Sequence, residues 1–113
     1  MSTLTSPLAA VNRAFNKPAY KYIRESDKLP TYDELPEEAV CKVKLFNPTG
    51  AGTWYLASYD PDTGVAFGVA DLGMGPELGD IYLPELVEHR GLMGLPIERD
   101  IHWTPKSVED LLS

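Results

Sequence analysis

The chain has one cysteine, two histidines and no apolar run approaching the roughly 18 residues that a membrane helix needs. The lone Cys41 excludes an intramolecular disulfide, and its place in an apolar run suits a core thiol in a reducing compartment. The first 25 residues hold no apolar stretch long enough for a signal peptide. A cytoplasmic protein that does not enter a membrane is therefore expected. No Gly-x-Ser-x-Gly elbow is present, and no His-x-x-x-His pair marks a metal site.

Basic residues are scarce in one half only. Residues 58–113 carry three Lys/Arg against eleven Asp/Glu, whereas residues 1–57 carry seven against six. The two halves thus stand at −8 and +1, together the net −7 of the chain. An acidic surface repels phosphate backbones and suits a basic protein partner, besides keeping the protein soluble.

With 113 residues, 43% of them hydrophobic, the chain is sized for one domain that needs no disulfide or structural metal. Ser6-Pro7 reads as a cap followed by a first-turn proline, and Leu8, Val11 and Phe15 recur at helical spacing, so a helix is expected over 7–16. Three prolines make 17–38 an irregular wrap. Alternation predicts strands over 39–46, with Cys41, Val43 and Leu45 on one apolar face, over 53–59 and over 65–70, the last two joined by the hairpin turn Asp60–Gly64. Residues 71–79 read as a glycine-rich loop and 80–83 as a short strand. Pro84 then opens a helix with Gly91 at its C′ position, 97–103 forms a further strand, and Thr104-Pro105 starts a last helix. The fold class is α+β: an antiparallel sheet of four to five strands, with short helices at the N-terminus, near 84–90 and at the C-terminus. Residues 1–28 form an N-terminal helix and basic arm, and 29–113 the main body of a single domain.

Leu29-Pro30-Thr31-Tyr32, Lys42–Pro48, Thr53–Leu56, Glu77–Leu86 and above all Gly94–Trp103 together resemble the domain-of-unknown-function family 2958, over roughly residues 29–106. The resemblance implies a small single domain and a setting on bacterial plasmids, integrative elements and phages. It implies no activity, cofactor or catalytic residue, and fold-level kinship would not supply one.

Several constellations carry chemistry. In an extended strand Glu98, Asp100 and His102 share one face, a partial ligand set for a divalent ion or an acid/base site, against a solvated sheet face. Arg99 falls on the opposite face with Ile97, Ile101 and Trp103, and there it needs a carboxylate. Asp71 or Asp80 is the expected partner, with Glu98 the other candidate. Gly73, Gly75 and Gly79 have the look of a phosphate cradle, but Leu78 and Pro76 break the fingerprint and the nearby acids would repel phosphate. Arg13, Lys17, Lys21, Arg24 and Lys28 recur every three or four residues as a basic arm for nucleic acid, which Pro18 interrupts as a continuous helix. His89 reads as a helix-end residue. Cys41 faces an apolar side and is no nucleophile. No catalytic residue and no cofactor is assigned. The leading expectation is a non-enzymatic accessory protein that binds another protein. The alternatives are nucleic-acid binding through the basic arm and a metal-dependent enzyme centred on 98–102.

Overall fold

The computed structural model describes residues 22–113. The segments rich in β-branched and aromatic residues are strands there, as their propensities favour. In chain order the elements are β1 (Val40–Cys41), β2 (Val43–Phe46), β3 (Thr53–Asp60), β4 (Val65–Asp71), β5 (Pro76–Tyr82), α1 (Leu83–Glu88), β6 (Glu98–Arg99), β7 (Lys106–Ser107) and α2 (Val108–Leu112). The main sheet is antiparallel with order β5-β4-β3-β2-β6, and β1 pairs with β7 in a separate ribbon. The architecture is α+β with little helix. The expected helix over 7–16 lies outside the described residues.

β3 is buried along four consecutive residues, Leu56 to Tyr59, which simple alternation forbids. The cause is a bulge. Leu56 pairs with Gly68 but Ser58 pairs with Phe67, so one extra residue enters β3. Leu56 and Tyr59 consequently point to the same side, into a core with Val43, Leu45, Ala66, Ile81, Val87 and Ile97. Ala57 points to the other side, where it joins Cys41 and Val69 beneath Leu35, Val108 and Leu111. Both faces of the central strands are thus covered, one by α1 and the segment around Tyr22, the other by α2 and Leu35. Gly68 permits the bulge, because a Cβ there would lie 1.9 Å from the Tyr55 carbonyl oxygen.

Several expectations are corrected. The strand over 39–46 breaks at Lys42, whose N–H donates to the Leu56 carbonyl. The break turns Cys41 into the smaller core, away from Val43 and Leu45, so the three do not share a face. The glycine-rich loop shrinks to 72–75, because Gly73 and Gly75 take φ of +100° and +101° and close a tight hairpin, leaving Pro76–Tyr82 free to pair with β4 along its whole length. The strand over 97–103 stops at Arg99. The Asp100 carboxylate accepts from the His102 N–H at 2.9 Å, an Asx turn that ends the pairing, and Ile101 is 75% exposed rather than inward. The last helix is capped by Ser107 Oγ, which accepts from the Asp110 N–H, not by Thr104. Gly91 is not the C′ residue of α1. The Arg90 guanidinium caps that end by donating to the carbonyls of Val87 and His89, and Gly91 instead leaves room for Thr49.

The irregular wrap is as expected over 22–38, and it is pinned to the sheet. Tyr22 is buried in the larger core and its hydroxyl donates to the Ile97 carbonyl. The Lys42 ammonium donates to the Lys28 carbonyl, and the Tyr59 N–H, next to the bulge, donates to the Pro30 carbonyl at 2.9 Å. Residues 22–28 therefore pack against the body that begins at 29.

Gly68 and Gly79 sit opposite each other in β4 and β5, yet a Cβ on Gly79 would meet nothing within 4 Å. Gly68→Ala is expected to cost at least about 2 kcal/mol in urea unfolding, since backbone must move. Gly79→Ala should stay within about 1 kcal/mol of the parent. Equal effects of the two substitutions would contradict the bulge.

Candidate functional site: an acid-rimmed groove on one face of the sheet

The face of the sheet that carries α2 also carries a groove of about 1090 Å³, between the segment 32–39 and α2. Three features of the sequence build it. Pro36 and the Tyr32–Glu34 turn keep the first wall irregular and off the sheet. The Ser107 cap starts α2 immediately after the β1–β7 ribbon, which sets the second wall. Phe67 on β4 and Leu78 on β5 supply an apolar floor. Tyr32 meets Phe67 edge to face, with ring centroids 4.9 Å apart, and is itself 61% exposed.

Among the described residues the rim is of one sign: Asp33, Glu37, Glu38, Glu109 and Asp110 line the groove, and no Lys or Arg does. Beyond the Tyr32–Phe67 pair a smaller cavity of about 190 Å³ continues along the same face, with Asp33, Asp60 and Asp80 among its lining. Low-dielectric walls under like charges concentrate a negative field in such a cleft. Glu34 stands at the start of this wall, where the N–H and hydroxyl of Thr31 both donate to it and hold its carboxyl below the usual range.

Two lysines and two further aromatic side chains of this face gather at its other end. Trp103 donates its indole N–H to the Cys41 carbonyl at 3.0 Å and packs against Tyr55. Lys44 and Lys106 lie over the Trp103 ring at 5.5 and 5.7 Å, and Lys44 pairs with Asp100 at 3.5 Å. These two cations are thus engaged at that end and not in the groove. Burial pushes the Cys41 thiol up to about 11, against an opposing pull from the Val69 backbone, so it holds little thiolate near neutral pH.

Glu98, Asp100 and His102 are not brought together. The Asx turn at Asp100 breaks the strand that would align them, Glu98 and His102 are exposed, and Asp100 faces Lys44. Among the described residues no three His, Cys, Asp or Glu side chains converge as a metal site. The glycines at 73 and 75 make the β4–β5 hairpin, and Gly79 lies in mid-strand. Of the basic arm, Arg13, Lys17 and Lys21 lie outside the described residues. Arg24 and Lys28 are exposed beside a short 3-10 turn. His89 ends α1 in the open.

Arg99 does sit on the inner face opposite Leu45, but its partner is neither Asp71 nor Asp80. Asp71 accepts from the Gly73 N–H in the hairpin, and Asp80 faces the smaller cavity on the other side. The guanidinium instead grips Asp27 with two bonds of 2.6 and 2.7 Å and donates a third to the Tyr22 carbonyl. Asp27 lies 72 residues away in the irregular wrap, where no periodicity marks it. The groove residues Asp33, Leu78 and Glu109 were likewise not singled out. Their only trace in the sequence is the paired acids Glu37-Glu38 and Glu109-Asp110.

The fold and this face define a small α+β domain that bears an open groove with an apolar floor and carboxylates around it. The chain belongs to the family described as "Protein of unknown function (DUF2958)", which matches residues 19–109. The match begins before residue 29 and so includes Tyr22 and Asp27. No curated protein and no solved structure matches the chain.

The Arg99–Asp27 clamp makes a pH prediction. Burial raises the Asp27 carboxyl, but the Arg99 fork and the Arg24 N–H and charge outweigh it, and the net shift is downward. A depressed carboxylate stabilises the fold above its unfolded pKa of about 3.9 and loses that contribution as pH falls through the folded value. Asp27→Asn is expected to cost on the order of 2 kcal/mol in chemical unfolding at neutral pH. The gap to wild type should be constant above about pH 5 and shrink below about pH 4. A gap independent of pH would show that Asp27 is not charged in the native state.

Proposed function

We propose that this domain is a non-enzymatic accessory protein that acts by binding another protein, and that the acid-rimmed groove is where it binds. The single observation that supports this reading is the groove itself. It joins exposed apolar side chains, Tyr32 and Leu78, to five side-chain carboxylates, with no lining cation among the described residues. Apolar contact supplies affinity in such a site, and the carboxylates steer and select a partner of opposite charge. The setting on mobile genetic elements, which the family resemblance implies, and a cytoplasmic location, which the lone buried thiol suits, belong to the same proposal.

Capture from host lysate with paired variants tests it. Leu78→Asp and the double substitution Glu109→Lys, Asp110→Lys alter the groove, whereas Ile101→Asp alters an exposed apolar residue elsewhere. A protein retained by wild type and by the Ile101 variant, but lost at least about tenfold with both groove variants, is the expected result. Circular dichroism of each variant checks that the fold is intact. Retention by folded groove variants, or loss with Ile101→Asp instead, would refute the groove as the binding site.

A further inference from the structure

The strand that borders the groove has a free edge. β5 pairs with β4 through all seven of its residues, without a bulge, and stands last in the sheet order. Its other side has no partner strand among the described residues. The opposite edge of the sheet, β6, is only two residues long and so offers little for a further strand. A long, regular edge invites pairing, and proteins usually guard one with lysine, a bulge or a central proline. β5 has none of these, since Pro76 stands at its very start. Its charged residues are acids, Glu77 and Asp80, and across the groove from Leu78 stand Glu109 and Asp110.

The geometry points to β5 as a receptor edge that takes an extended, basic segment of a partner protein as a sixth strand. This rests on the groove being the binding site, and it names the partner's chemistry and conformation. In such a complex the added strand satisfies the outward N–H and C=O groups of β5. Alternate side chains of the added strand fall on the groove side, where Leu78, Phe67 and Leu112 receive apolar groups. Lysine or arginine beside them meets the carboxylates of α2 and of Asp80. A second copy of this chain is the poorer occupant. Two β5 strands paired about a two-fold axis would crowd Glu77 and Asp80 of each copy together, between molecules of net charge −7.

The test uses the full chain, isotope-labelled, with synthetic seven-residue peptides matched to the length of β5. One carries lysine and valine by turns at every second position, on one face, with threonine between them; one has glutamate in place of each lysine; and one is the lysine peptide N-methylated at alternate residues. The lysine peptide is expected to bind, to weaken with salt, and to slow hydrogen exchange at the outward-facing amides of 77–82. The glutamate and N-methylated peptides should bind at least about tenfold more weakly, as should the lysine peptide to a Glu109→Gln, Asp110→Asn variant. Equal binding of the N-methylated peptide, or binding without protection in β5, overturns strand addition and leaves the groove reading intact. Failure of the lysine peptide to bind, or equal binding of the glutamate peptide, overturns the inferred basic segment, while lysate capture decides the groove separately. A concentration-dependent dimer that Leu78→Pro dissociates would overturn it in favour of a second copy.

Discussion

One close backbone approach governs this domain: the Tyr55 carbonyl comes so near Gly68 that no side chain fits between. That contact accompanies the bulge at Ala57, and the bulge resets the parity of β3. Before it, Trp54 and Leu56 face the larger core, and after it Tyr59 does. Without the extra residue Tyr59 would turn to the other face and Ala57–Ser58 would lose their relation to Val69 and Phe67. The larger core, the smaller core under α2, and the groove beside it are therefore three results of one local irregularity.

The larger core leaves one polar atom to account for. Tyr59 is 7% exposed, and its hydroxyl has no hydrogen-bond partner among the described residues. Burial, with some repulsion from Asp60, drives its ionisation far upward, so the ring stays neutral. Tyr22 shows the contrasting solution. Its hydroxyl finds the Ile97 carbonyl, and burial holds its ionisation up at about 12. The Tyr22 carbonyl in turn accepts from Arg99, so one residue ties the wrap to both the apolar core and the ion pair.

The antiparallel sheet and its α+β class were legible in the sequence because alternation survives in β2 and the first half of β4, and β3 is rich in aromatic and β-branched residues. The hairpin at Asp60–Gly64 was legible for the same reason, with its proline early and its glycine late. What failed did so where a side chain competes with the strand. Asp100 bends the chain and exposes Ile101, and nothing in the pattern Ile97 to Trp103 distinguishes that from a continued strand. Gly73, Gly75 and Gly79 made the first half of β5 look like loop, although only 72–75 turn. The Arg99 ion pair was inferred correctly in kind and wrongly in partner, because a pairing across 72 residues leaves no periodic mark. The groove was the least legible feature. It depends on tertiary placement of Glu37, Leu78 and Glu109, which are far apart in the chain.

The Trp103 indole bond to the Cys41 carbonyl closes the β1–β7 ribbon over the chain's single thiol. Since nothing else on the molecule reacts as a thiol, the speed at which an alkylating reagent consumes it is a clock for that ribbon alone. The clock sits under α2, the helix that also walls the groove. A guest settling against α2 would therefore slow a chemical reaction it never touches, and occupancy could be timed without any label placed on either molecule.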